Sequence, residues 1–233
     1  MLTFRVQGTD RTFTMRPRRL VIAVYTGRDQ EAVRRHVEEL RAHGIPAPPR
    51  VPTLFACTVD RLTIRDGASD EADDLEVLGD RTSGEAEFVL IGHDGELYVA
   101  VGSDHTDREL EKTSITFSKQ VCPKPLSRDV WPYADLRDRW DELRLRGRAG
   151  DRDGYQAGTL GEMLRPEALI ALVAERLGDA VDGMVLYGGT LPILDGGGFA
   201  LGRGFVAELE DPCAGRLLRC AYAVRETPLA GDG

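Results

Sequence analysis

The dipeptide Asp94-Gly95, set between the apolar runs Phe88-Val89-Leu90-Ile91 and Leu97 to Val101, constrains the fold of this chain more than any other feature. A two-residue hairpin loop needs positive φ at both central positions, which Asp-Gly tolerates, so the two runs are predicted to be antiparallel strands. With that loop, His93 faces Glu96, and counting outward sets Glu85 opposite Asp104. Glu85 and Glu87 are two apart, so on an extended chain both side chains share a face. The register therefore predicts one patch of three carboxylates, with paired Cβ atoms about 4.5–5.5 Å apart. Like charges that close need compensation, and a hard divalent cation with oxygen ligands supplies it. A solvated acidic strand face is the other reading, and a longer loop would move the pairing.

At 233 residues, with 42% hydrophobic and 30% charged side chains, the chain is expected to form a single soluble domain over 1–233. A net charge of −9 argues against nucleic acid as a partner. No apolar run reaches membrane-spanning length, and the N-terminus lacks a signal-peptide pattern. Cys57, Cys122, Cys213 and Cys220 show no C-x-x-C spacing, so reduced thiols and a cytoplasmic location are expected.

In chain order, 1–18 reads as an N-terminal β-hairpin turning at Gly8-Thr9-Asp10, and Leu20 to Tyr25 as a buried strand. A helix is predicted from Gln30 to His43, capped by Asp29 and stopped by Gly44, with Val33, Val37 and Leu40 inward. His36 and Glu39, three apart, are neighbours beside that stripe. Ile45 to Pro49 is an extended connector, followed by strands Thr53 to Val59 and Arg61 to Ile64. Asp70 to Asp80 is expected as a surface loop, and Arg108 to Ser118 as a short helix followed by extended chain. Cys122-Pro123-Lys124-Pro125 reads as a rigid turn, Asp135 to Arg146 as an amphipathic helix burying Leu136, Trp140 and Leu143, and Gly147 to Gly154 as a polar loop. A further helix runs from Pro166 to Leu177, ended by Gly178, and the last third turns to strands with a loose tail over 226–233. The fold class is α+β, strand-rich, with a few peripheral helices.

Four segments together resemble the C-terminal domain of the fumarylacetoacetate hydrolase superfamily. They are Glu85-Ala86-Glu87, Asp104-His105-Thr106-Asp107-Arg108, Ser118-Lys119-Gln120 and Gly188-Gly189-Thr190-Leu191-Pro192, which match E-x-E, D-x-T-x-R, K-S-like and T-G-T-P motifs in the same order. SDHTDRELE, SKQVCPKP and YQAG look closer still to an uncharacterised bacterial branch known only as a domain of unknown function. The resemblance implies a mixed β-roll, a homodimer, and Mg²⁺, Mn²⁺ or Ca²⁺ held by Glu85, Glu87 and Asp104 with Lys119 beside them. It also implies a His36/Glu39 pair that activates water, although here the helix follows Gly27-Arg28-Asp29 by a longer gap than in the family. The insertion between Glu87 and Asp104 that often covers the site is missing, Glu111 stands where some relatives carry a substrate-contacting glutamine, and Leu191 intervenes before Pro192.

Three carboxylates, one lysine and one divalent cation nearly cancel, so an anionic 2-oxo acid could enter and chelate the metal. The leading expectation is a metal-dependent hydrolase that cleaves a C–C bond in an acylpyruvate-like 2-oxo acid through a metal-stabilised enolate. Decarboxylase, hydratase and keto–enol tautomerase share that intermediate, and a non-catalytic small-molecule or metal-binding protein is the alternative of a different class. In this scheme Lys119 and Arg108 hold the carboxylate or developing oxyanion, with Arg108 alternatively a structural ion-pair partner. Gly189 and Thr190 line the substrate pocket, or else Gly188-Gly189 is simply a tight turn.

Overall fold

The Asp94-Gly95 hairpin forms with the register read from the sequence: His93 pairs with Glu96, and the ladder continues outward to Ala86 opposite Ser103. Asp94 and Gly95 take φ values of 50° and 74°, the conformation that a two-residue loop demands. These features come from a computed structural model that describes residues 1–42, 48, 50–66, 74–178, 181–194 and 196–228; the side chains of His36, Glu39, Leu40 and Ala42 lie outside the described residues.

In chain order the first strands are β1 (Leu2–Val6), β2 (Thr12–Met15), β3 (Arg19–Val24), β4 (Thr53–Cys57), β5 (Leu62–Arg65) and β6 (Asp74–Leu78). Next come β7 (Thr82–Ser83), the hairpin strands β8 (Ala86–His93) and β9 (Glu96–Ser103), β10 (Thr106–Asp107), β11 (Lys124–Ser127) and β12 (Asp129–Pro132). The last are β13 (Arg144–Ala149), β14 (Arg152–Thr159), β15 (Met184–Thr190), β16 (Phe205–Asp211) and β17 (Arg216–Thr227). Among the described residues the α-helices α1 (Gln30–Ala42), α2 (Arg108–Glu111), α3 (Ile115–Gln120) and α4 (Pro166–Leu177) lie between them.

The hairpin is the centre of a mixed ten-stranded sheet whose main path runs β2-β1-β12-β9-β8-β15-β3-β4, with β11 and β5 branching from β9. A five-stranded sheet, β14-β13-β16-β17-β6, covers one face of it. Alternation along β8 and β9 sorts the core into two layers. Phe88, Leu90, Val99 and Val101 meet Leu145, Phe205, Leu209 and Tyr222 of the second sheet, whereas Val89, Ile91, Tyr98 and Ala100 pack with Phe4, Leu20 and Ile22. Each such buried apolar side chain contributes roughly 1.5–3 kcal/mol, so the hairpin is anchored on both faces.

Several expected elements differ, each for a local reason. Asp74–Leu78, expected as loop, is an edge strand parallel to β17. Leu75 and Val77 are buried beneath it, while Arg225 pairs with Asp74 and Glu76 outside, so the acidic look of this segment hides a period-two pattern. Asp135 to Arg146 is not one amphipathic helix: 3-10 turns over Tyr133–Asp135 and Arg137–Glu142 lead directly into β13. Leu136, Trp140 and Leu143 are buried as expected, but a non-helical Arg139, held by Asp211, interrupts the helical path. From Arg144 the alternation Arg-Leu-Arg-Gly-Arg-Ala puts every arginine outside, which suits a strand, and the expected loop after Gly147 shrinks to a turn at Gly150. The chain after α2 forms α3 rather than extended structure, capped by Ser114, and Lys124-Pro125 starts strand β11 rather than a turn. Strand β17 continues through Glu226 and Thr227, which were expected in the tail; 229–233 lie outside the described residues. Asp29 caps α1 through bonds of 2.9 and 3.0 Å from the amides of Glu31 and Ala32, and the expected stop at Gly44 and most of the connector after it lie outside the described residues.

Candidate metal and active site

The open end of the hairpin builds the site. The amide of Asp104 donates to the carbonyl of Glu85 at 3.0 Å, so the two residues face each other as counted from the turn. Glu87 lies opposite Gly102, where a side chain would strike the carbonyl of Pro125 and the ring of Tyr187. Glu87 and Asp104 are buried at 2% and 0% exposure, so the acidic patch is not a solvated strand face.

Each carboxylate has a different partner. Asp104 is bound by two buried lysines, Lys119 at Oδ2 and Lys124 at Oδ1, the second at 3.1 Å. Burial alone would push Asp104 up, but the two ammonium groups hold it well below the usual carboxylate range. Lys124 also donates to the carbonyl of His105. Glu87 accepts a 2.8 Å bond from the amide of Gly189. Burial, followed by the charge of Asp104, pushes Glu87 well above its ordinary value, with Glu85 adding to the effect and Lys119 opposing it. Glu85 lies 3.2 Å from Nη2 of Arg108 in an ion pair without a well-formed hydrogen bond.

Arg108 is committed on every side. Its Nε donates to Ser83 at 2.7 Å, its Nη1 to Glu111 at 3.0 Å, and its guanidinium lies 4.0 Å from the ring centroid of Phe199. This arrangement favours the ion-pair alternative over a direct hold on substrate. Below it, the neutral imidazole of His105 bridges Tyr222 and Thr82 at 2.9 Å each, and burial pushes it down to about 3. Tyr222 continues to Ser103, whose hydroxyl accepts the amide of Glu85, so a buried chain of hydrogen bonds fixes the backbone at the acidic patch.

Gly188-Gly189 is not a turn. Both glycines lie within β15, whose pairing to β8 slips between Tyr187 and Thr190. Gly189 has a φ of +105°, and a Cβ there would sit 2.0 Å from the hydroxyl of Thr26. That space lets its amide reach Glu87. Thr190 pairs opposite Glu87 and donates to the carbonyl of Ala86 at 2.9 Å, while Gln156 donates to it at 2.7 Å. A cavity of about 360 Å³ lined by Arg146, Arg148, Asp153 and Glu208 opens on the second sheet and includes none of the predicted residues.

The structure therefore gathers Glu85, Glu87, Asp104, Arg108, Glu111, Lys119, Gly189 and Thr190 at one end of the large sheet. His36 and Glu39 lie on α1, but their side chains are outside the described residues. Among the described residues no three His, Cys, Asp or Glu side chains converge at metal-ligand distances. The donor set still suits a hard cation: three carboxylates in mutual electrostatic reach, two of them buried, with Glu87 driven towards its neutral form by burial first and by the charge of Asp104 second. Sequence reasoning missed Lys124, hidden in what looked like a proline turn. For Lys124 the available signal was Lys-Pro-Leu-Ser, a run that is buried throughout.

A structure with the same fold is fumarylpyruvate hydrolase from Pseudomonas aeruginosa in complex with Mn²⁺ and pyruvate, 14% identical, with a TM-score of 0.65 over 97% of this chain and 96% of that one. A 2-keto-3-deoxy-D-arabinonate dehydratase complexed with magnesium and 2,5-dioxopentanoate is 15% identical, with a TM-score of 0.63 over 92% and 75%. Yeast ynq8, a fumarylacetoacetate hydrolase family protein, is 13% identical, with a TM-score of 0.60 over 90% and 93%. No curated protein matches the chain. The family model for a protein of unknown function, DUF2848, matches residues 23–222. The chain thus belongs to the DUF2848 family, built on the fumarylacetoacetate hydrolase fold.

Proposed function

We propose that the protein is a divalent-metal-dependent enzyme acting on a 2-oxo acid, and that the reaction is hydrolytic cleavage of a C–C bond in an acylpyruvate-like substrate. The observation that supports this reading is the placement of Glu85, Glu87 and Asp104 at the open end of one hairpin beside Lys119, with burial driving Glu87 towards protonation. A hydrolase and a dehydratase of this fold were crystallised with Mn²⁺ or Mg²⁺ and a bound oxo acid, which supports the same class of ligand here. Glu85, Glu87 and Asp104 would hold Mg²⁺ or Mn²⁺, with Ca²⁺ a third candidate. When bound, the cation would supply Lewis-acid polarisation of a chelating 2-oxo acid.

The charges fit an anionic substrate. Four acids, Glu85, Glu87, Asp104 and Glu111, stand against three bases, Arg108, Lys119 and Lys124. Adding a dication leaves one positive charge for one substrate carboxylate. Lys119 donates from the buried side to developing negative charge, and Arg108 keeps Glu85 and Glu111 in place. His36, oriented by Glu39, takes the proton from water; Gly189 and Thr190 shape the pocket wall. Decarboxylation, hydration and tautomerisation use the same machinery and differ in where water and base stand. A cytoplasmic homodimer is part of the proposal; among the described residues, no helix is long and apolar enough to cross a membrane.

Calorimetric titration with Mn²⁺, followed by oxalate as a 2-oxo acid mimic, tests the reading. The wild type is expected to bind oxalate only with metal, Glu85→Gln to lose metal affinity at least tenfold, and His36→Ala to keep both while losing turnover. A wild type that binds neither metal nor oxalate would favour the non-catalytic alternative.

A further inference from the structure

Two non-glycine residues among those described have positive φ, Asp94 in the hairpin loop and Tyr25 at 60°. The first is explained by its turn. Tyr25 follows the last residue of β3 and is neither Gly, Asn nor Asp, so its left-handed backbone is strained. The strain is held from its C-terminal neighbour. The Thr26 hydroxyl donates to the carbonyl of Gly188 at 2.7 Å, and its carbonyl accepts the amide of Leu164 at 2.8 Å.

What the strain achieves is placement. Through Thr26, which bonds the Gly188 carbonyl, Tyr25 is fixed beside the Gly188-Gly189 segment, whose second amide binds Glu87. Its half-buried phenol lies in the field of Glu111, Lys119 and Glu85. Burial, then Glu111, push it above the ordinary tyrosine value, so it carries its proton at neutral pH and can donate it in a hydrogen bond. Strained residues persist where the surrounding structure over-determines them, and they cluster at ligand sites.

We propose that Tyr25 is a substrate-contacting residue of this site, its phenol donating a hydrogen bond to the anion bound beside Lys119. The inference rests on the 2-oxo acid reading and adds to it a residue outside the four motifs. It also explains why the chain keeps a strained aromatic side chain where glycine would relieve the backbone.

The test compares wild type and Tyr25→Phe by calorimetry, first with Mn²⁺ alone and then with oxalate on the Mn²⁺-loaded protein. Phenylalanine keeps the ring and the backbone strain and removes only the donor. Unchanged Mn²⁺ affinity with oxalate weakened about tenfold is expected for one lost hydrogen bond to a charged ligand. Equal oxalate affinity in the two proteins would overturn this role and leave the 2-oxo acid reading intact. Loss of Mn²⁺ binding in the variant would also overturn it, because the phenol would then serve the acidic patch. A metal-loaded wild type that does not bind oxalate would sink the 2-oxo acid reading and this inference together.

Discussion

Asp104→Asn is expected to lower the melting temperature by on the order of 10 °C. Both oxygens of Asp104 face lysines, and Asp104, Lys119 and Lys124 have side chains no more than 3% exposed. Breaking a buried ion pair by removing one partner costs about 3–5 kcal/mol, since the remaining charge keeps its desolvation penalty. In a chain of this size each kcal/mol moves the midpoint by about 2–4 °C. The pH dependence has a definite sign. The folded value of Asp104 lies below the unfolded one, near 3.9, so its stabilisation is present above that unfolded value and is lost as pH falls through the folded value. Thermal melts in chelator should show a constant gap between wild type and variant from pH 7 down to about 4, with the gap beginning to narrow only below the unfolded value near 3.9. A variant that melts within a degree or two of wild type at pH 7 would mean that Asp104 does not neutralise the lysines.

Glu87→Gln is expected to do the opposite to the metal-free protein. Glu87 is buried, and its folded value is raised above the unfolded one, near 4.3. For such a group the stabilisation is complete below the unfolded value and is lost as pH rises through the folded one, so at neutral pH the ionised carboxylate costs stability. Glutamine keeps an acceptor for the amide of Gly189 and removes the charge. In chelator at pH 8 the variant should therefore melt above wild type, and the difference should shrink towards pH 5. With saturating Mn²⁺ the order should reverse, because wild type alone gains full binding energy. Melts that never cross would remove Glu87 from the proposed ligand set. The two acids thus carry opposite predicted effects although both belong to one patch, and the reason is their partners: two ammonium groups for one, a single amide and like charges for the other.

This division of roles was out of reach of the sequence. Glu85, Glu87 and Asp104 could be placed together by counting from Asp94-Gly95, because a tight loop transmits its register along both strands. Lys119 came from a motif, but Lys124 did not: Cys-Pro-Lys-Pro looks like a turn, and only the pairing of β11 with β5 and β9 carries that lysine inward to Asp104. Arg108 was assigned two roles, and its contacts with Ser83, Glu111 and Phe199, from three parts of the chain, favour the ion-pair one.

The errors in secondary structure have a common origin. Asp74–Leu78 and Arg144–Ala149 are short strands whose outward residues are charged, so local composition favours loop in one and helix in the other. Their period-two burial exists only because the second sheet closes over the hairpin.

Local chemistry was therefore enough for the hairpin, its register, the placement of Glu85 opposite Asp104, the Asp29 cap of α1 and the two ends of α4, since each depends on neighbours in the chain. Tertiary structure decided which carboxylate is charged, which cation answers it, and why Tyr25 endures a left-handed backbone. Those outcomes depend on desolvation and on charges brought within a few ångströms by strands far apart in sequence, and no local pattern encodes them.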